Sequence, residues 1–182
     1  MKIVEVYIME KYTMTRLNES FIDLLKKPEV LNDYCSYYSA IAGWIKQNKK
    51  YFNEKILNRY RLNVLINLDP KIYINDNPGI ILSMEAKRFE KLPDRIDTLA
   101  MIIGDTLWNM VTILSGKDCP NCIDDELRYI IVQTEKERKL VLECETCGWC
   151  EYTNGNKWSD GVADGMPASK IDLEEFGIKC QN

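Results

Sequence analysis

Apolar side chains keep a helical spacing through the first two thirds of the chain and then change to alternation. In "TRLNESFIDLLKK" Leu17, Phe21, Leu24 and Leu25 fall three or four residues apart, as on a helix with one buried face, and Pro28 closes the segment. Val30, Tyr34, Tyr37, Tyr38, Ile41, Trp44 and Ile45 continue that spacing, followed by Phe52, Ile56, Leu57 and Tyr60, with a break expected near "KQNKK". The stretch 63–79 carries Pro70, Pro78 and several Asn and Asp residues, so it predicts a loop with one or two short strands. A helix is expected over 80–91. The strongest helical pattern is "PDRIDTLAMIIGDTLWNMVTILSG", with Pro93 at its start and Gly116 at its end. Residues 3–8, "IVEVYI", fit either a short strand or the start of a helix.

After Gly116 the pattern alternates. "LRYIIVQT" and "KLVLEC" are rich in Ile, Val and Leu and flank the charged stretch "EKER", the mark of a β-hairpin. From Trp158 onward the glycines and a proline predict an irregular tail, with "SKIDLEEFG" adding a turn or two of helix capped by Ser169. The expected fold class is therefore α+β. A mainly helical domain over 1–116 leads into a β-hairpin module over 117–157 and an irregular tail over 158–182.

Cysteine placement sharpens this picture. Five of the seven cysteines fall between Asp118 and Cys150, and four of them form two Cys-x-x-Cys pairs, Cys119 with Cys122 and Cys144 with Cys147. Each such turn aims two sulfurs at one point, and the hairpin between the pairs returns the second turn to the first. That spacing suits a four-thiolate zinc site, expected to hold one structural Zn2+ per chain. Cys150, three residues past Cys147, remains a competing ligand, and tetrahedral iron uses similar knuckles. Cys35 is expected as a small buried apolar residue in a tyrosine-rich helix, and Cys180 as a free thiol.

"CPNC", a hairpin, and then "CETCGW" resemble a zinc ribbon, with Pro120 after the first cysteine and Gly148 after the last. The resemblance covers about residues 117–157. It implies the ribbon fold and a zinc ion on Cys119, Cys122, Cys144 and Cys147, and it implies no single activity.

Composition narrows the function classes. Histidine is absent, which removes the commonest general base and every mixed Cys/His zinc arrangement. No phosphate-binding loop, dinucleotide glycine pattern or nucleophile elbow is present. Clustered cysteines without a secretory pattern point to a reducing, cytoplasmic setting, and "LAMIIGDTLWNMVTIL" is too short and too polar to span a bilayer. Residues 1–116 hold 16 basic against 14 acidic side chains, and residues 117–182 hold 8 against 14. The cysteine-bearing part is thus acidic, the wrong sign for gripping phosphates.

A four-thiolate ion has no open position for water, so hydrolytic metal chemistry is not expected. The reading that follows is a non-enzymatic protein that binds another protein. In size, acidity and individuality it is similar to the immunity proteins of bacterial toxin systems, which implies a basic toxin domain as partner. Asp124, Asp125, Glu126, Trp149 and Tyr152 are the expected contact residues. Two alternatives stay open. One is a nucleic-acid- or transcription-associated zinc ribbon, with stacking on Tyr37, Tyr38 or Trp44 and a basic patch at Lys46, Lys49, Lys50 and Lys55. The other is an enzyme whose site lies in the helical domain.

Overall fold

The structure is a computed structural model that describes residues 2–73, 89, 93–134, 137–160 and 165–179, with the backbone alone for 2–11. The chain divides into two units, Met1–Pro70 with Asp76–Met110, and Lys71–Asn75 with Val111–Asn182. The expected helix over 80–91 lies outside the described residues apart from Phe89, as does Cys180. The architecture is α+β: helices first, then an antiparallel sheet that carries the cysteines. Among the described residues no helix is long and apolar enough to cross a membrane.

Among the described residues the first unit contains α1 (Lys2–Leu25), α2 (Tyr34–Gln47), α3 (Glu54–Arg59), α4 (Leu62–Leu65) and α5 (Ile96–Met110). Residues 3–8 take the helical option and run straight into α1. Asp33 starts α2 by accepting the Ser36 amide at 2.9 Å, and Asn53 starts α3 by accepting that of Ile56 at 2.9 Å. These caps satisfy donors that the first helical turn leaves open. The break near "KQNKK" is a single 3₁₀ turn at Lys49–Tyr51.

Most of the face that the spacing predicts is buried: Leu17, Phe21, Tyr37, Tyr38, Ile41, Ile45, Leu57, Leu99, Ile103 and Leu107 are interior, while Leu24, Leu25, Tyr60 and Ile96 are half-buried. Phe21 meets Trp44 edge-on at 4.7 Å and Phe89 at 4.9 Å, the geometry that aromatic quadrupoles favour. Trp44 donates its indole N–H to Ser20 Oγ at 3.0 Å, and the Tyr38 hydroxyl donates to the Leu65 carbonyl. Neither aromatic polar group is buried without a partner.

Two expectations are corrected. The start of the 63–79 stretch is helical rather than strand-like: Leu62, Leu65 and Ile66 are buried at helical spacing, and burial outweighs the nearby turn-forming residues. The strongest helix also stops at Met110, short of Gly116. Leu114 fits the helical spacing in sequence, yet it opens a strand and is 55% exposed.

The second unit is a sheet of β1 (Leu114–Asp118), β2 (Glu126–Gln133), β3 (Arg138–Glu143), β4 (Cys150–Tyr152) and β5 (Gly165–Pro167), followed by α6 (Lys170–Glu175). The order is β1-β2-β3-β4, all antiparallel. β5 pairs with β2 at Ile130, Ile131 and Val132. Because β3 occupies one edge of β2, β1 and β5 share the other. The handover is at Tyr129, whose N–H donates to the Ile113 carbonyl and whose carbonyl accepts the Ala168 N–H, both at 3.0 Å.

β2 is therefore central, and the sequence after Trp158 is more regular than its glycines suggest. Tyr129 and Ile131 lie opposite Leu142 and Leu140, so these four share one face. That face carries one cluster of Ile113, Leu140, Ala168 and Leu173 and another of Cys119, Leu127, Leu142 and Cys144, and Tyr129 packs against both.

Ser169 caps α6 as expected, in a full capping box: its Oγ accepts the Asp172 N–H at 3.1 Å while Asp172 Oδ2 accepts the Ser169 N–H at 2.7 Å. Gly177, at φ +75, ends α6. It lets Ile178 N–H reach the Leu173 carbonyl at 2.8 Å, with the two side chains in one apolar cluster. Arg138 on β3 binds Asp172 and Glu175, tying the helix to the sheet.

Glycines 43 and 104 give opposite predictions. A methyl at Gly104 on α5 would sit 2.9 Å from the Tyr60 carbonyl oxygen, whereas a methyl at Gly43 on α2 meets nothing within 4 Å. Gly104→Ala is expected to lower stability by about 1–3 kcal/mol. Gly43→Ala is expected to raise it by about 0.5–1 kcal/mol through helix propensity. Denaturant midpoints of the two variants check both signs.

Candidate metal centre

Both Cys-x-x-Cys segments fold into tight turns beside the sheet. In the first, the Ile123 N–H donates to the Cys119 carbonyl at 3.0 Å and the Cys119 N–H donates to the Asp125 carbonyl at 2.8 Å. In the second, the Gly148 N–H donates to the Cys144 carbonyl at 3.0 Å and the Cys144 N–H donates to the Trp149 carbonyl at 2.8 Å. The two turns are thus close equivalents, with one more residue in the first before the chain returns. Cys119 lies just past β1 and Cys144 just past β3, so β2 and its two neighbours bring the turns to one end of the sheet.

The equivalence exposes a difference. Each turn needs a left-handed residue after its second cysteine. The second turn uses Gly148, at φ +70; the first uses Ile123, at φ +64. A β-branched side chain in that region costs about 1–2 kcal/mol.

The four sulfurs of Cys119, Cys122, Cys144 and Cys147 lie within 4.8 Å of one another. Cys119 and Cys147 are 3.6 Å apart, and so are Cys122 and Cys144. A disulfide would require about 2 Å, so these contacts join separate thiols. A tetrahedral metal–thiolate centre with bonds of about 2.3 Å sets its sulfurs about 3.8 Å apart. The donor set, the spacing and the convergence from two turns all fit a bound metal ion. Cys150 is not part of the group. It is half-buried on β4, and its thiol is pushed up to about 11 by burial, with the charges of Glu143 and Glu151 adding to the shift. Its absence from the cluster of four converging sulfurs, rather than its acidity, sets it apart from the ligands.

The four thiols differ in their surroundings. Burial pushes the Cys144 thiol well above its ordinary range. The Asp124 amide pulls Cys122 down, but burial and the neighbouring thiols leave it raised. Cys147 is exposed and is lowered to about 6 by the side chain of Asn121 and the amide of Trp149. The Asn121 N–H also donates to Cys119 Sγ at 3.4 Å. Amides aimed at sulfur favour the thiolate that a metal needs.

The residues proposed for partner contact take different positions. Asp125 lies between the two turns. Its Oδ2 accepts from the Thr146 N–H at 3.2 Å, the Thr146 hydroxyl at 3.3 Å and the Cys144 thiol at 3.6 Å. Burial opposes its charge, yet these donors hold its carboxyl below the usual range. It braces one turn against the other, a role its place in "DDE" does not reveal. Glu126 accepts the Gly116 N–H. Asp124 is exposed.

Trp149 packs half-buried against the thiol cluster and donates its indole N–H to Glu151 at 3.0 Å, so it covers the site. Tyr152 packs against Trp158, ring centroids 5.1 Å apart and tilted by 45°. Sequence reading missed Glu151, which is 2% exposed and binds both Trp149 and Lys117. Lys117 is on β1 and Glu151 on β4, so this pair joins the two ends of the strand order beside the metal site. No sequence signal distinguishes Glu151 from an ordinary surface acid. Cys35 is half-buried in α2.

Arranged this way, the site can hold an ion with all four tetrahedral positions filled by sulfur, which leaves none for substrate. No family model, no curated protein and no solved structure matches the chain.

Two predictions follow from this geometry. Asp125→Ala removes the brace and is expected to weaken metal binding about 10–100-fold in a chelator competition. Asp125→Asn keeps an acceptor for Thr146 and offers an N–H to Cys144, so its affinity is expected to stay within about threefold of wild type. Equal losses in both variants would mean that the charge, rather than the brace, matters.

The second prediction concerns pH. Cys122 and Cys144 have raised pKa values, so they hold their protons at neutral pH until metal displaces them. Cys147, near 6, is already mostly ionised there. With two protons displaced, metal affinity should fall by at least about a hundredfold for each unit from pH 8 to pH 6, with Cys147 adding further loss below about 6. Affinity that is flat over that range would contradict the assignment.

Proposed function

We propose that the bound ion is zinc, that the second unit is a zinc-ribbon module closed by it, and that the protein acts by binding a basic protein partner rather than by catalysis. Zinc supplies folding energy here and no reaction, because its four positions are taken by thiolate. A toxin domain held by its immunity protein is the kind of partnership this profile suits.

The observation that carries the reading is how charge is spent in the second unit. Lys117 is held by Glu151, Arg128 by Glu143 and Glu145, Arg138 by Asp172 and Glu175, and Lys139 by Glu137 and Asp160. Lys157 lies over the Trp149 ring at 5.0 Å. Asp118, Asp124 and Glu174 are exposed and have no cation partner among the described residues. Lys170 and Lys179 have no ion pair among the described residues, so what a partner meets is a surplus of negative over positive charge, 14 acidic against 8 basic side chains over residues 117–182. That surplus steers basic proteins and disfavours phosphates.

The nucleic-acid alternative loses its proposed stacking platform as well. Tyr37, Tyr38 and Trp44 are 0%, 1% and 5% exposed. In the basic patch, Lys49 pairs with Glu54 at 3.9 Å and Lys50 lies over Tyr51 at 4.9 Å.

Affinity purification of the full chain from its native cell, followed by identification of what co-purifies, tests the reading. The expected result is one basic protein, whose association rate falls about tenfold or more between 50 mM and 500 mM salt. Co-purifying nucleic acid, or an association rate indifferent to salt, would overturn it.

A further inference from the structure

We infer that Ile123 is the apolar anchor of the partner-binding surface, set on the metal-closed first turn with the exposed acids Asp118 and Asp124 on the same turn segment. This rests on the protein-binding reading above and names the place where it acts.

The fold needs a left-handed residue after the second cysteine of each turn, and Gly148 meets that need without strain. Ile123 meets the same need with a β-branched side chain that is disfavoured there. The strain returns nothing to the interior. Ile123 is 78% exposed, the highest value among the large apolar side chains of the described residues, and it belongs to neither of the two apolar clusters described above. Strained backbone that the surrounding structure enforces marks functional positions more often than packing positions.

What enforces it here is the metal turn: Cys122 precedes Ile123, and the Ile123 N–H is tied to the Cys119 carbonyl. The side chain is thus presented on a rigid mount, so little ordering is left to occur on binding. Its neighbours fix the partner's chemistry. Asp124 follows it directly, Asp118 precedes the first cysteine, and both are exposed without a cation. An apolar centre with a charged rim is the layout of a protein interface. The matching surface is a basic protein with an apolar pocket wide enough for one branched aliphatic side chain.

The test uses the full chain in its native cell, with the photoreactive residue p-benzoylphenylalanine at position 123. A control carries it at 171, where Ile171 on α6 is 51% exposed. Illumination is expected to join position 123, and not 171, to the basic protein found by affinity purification. Added unlabelled wild-type protein should compete this product away. Unlabelled Ile123→Gly should compete about tenfold less well while unfolding at a midpoint at or above that of wild type, since glycine relieves the strain. That opposition of signs separates an anchor from a structural residue.

A crosslink at 123 no stronger than at 171 would overturn the inference, as would Ile123→Gly competing as well as wild type. Either failure alongside a co-purified basic partner leaves the protein-binding reading standing. Failure to co-purify any protein would sink both.

Discussion

Four sulfurs meeting at one end of a small sheet set the terms for the rest of the second unit. The apolar cluster at that end contains only two aliphatic side chains, Leu127 and Leu142, beside Cys119 and Cys144. So few side chains do little to offset the entropy of ordering the two turns. A metal ion held by four thiolates can, because its binding free energy is folding free energy, on the order of 10 kcal/mol for comparable small modules. The other end of the sheet does have a conventional apolar cluster, built with Ala168 and Leu173 from the tail. Tyr129 touches both, so metal closure and tail docking are linked through the central strand.

The polar network follows from the same constraint. A thiolate cluster beside carboxylates is electrostatically expensive unless the carboxylates are occupied. Asp125 is occupied by Thr146, and Glu151 by Lys117 and Trp149. Each such pair cancels one acid with one cation, so the acidic balance of this part comes from its composition, 8 basic against 14 acidic side chains over residues 117–182.

The cysteine turns and the β2–β3 hairpin were legible in the sequence because ligand chemistry and alternation are local signals. Cys119, Cys122, Cys144 and Cys147 stand together as their spacing implies, and the strands on either side of "EKER" pair in register from Arg128 with Glu143 to Gln133 with Arg138. The Ser169 cap was legible for the same reason. Other features depend on distant partners. Leu114 fits a helix in sequence and becomes strand because Arg128 lies opposite it. β5 has three residues and exists only because half of one edge of β2 is left open by β1. Asp125 reads as part of an acidic surface, and only the second turn folding against the first shows that it points inward. The left-handed geometry of Ile123 was likewise out of reach, since nothing in "NCIDD" advertises it.

The coordination of the ion is the most direct test of the claim that four thiolates close the second unit and leave no room for chemistry. Zinc-edge X-ray absorption on the full chain measures it. The prediction is four sulfur scatterers at about 2.3 Å and no nitrogen or oxygen in the shell. A shell with fewer than four sulfurs, or with an oxygen at about 2.0 Å, would contradict it, since it would open a coordination site to water and restore catalysis as a function.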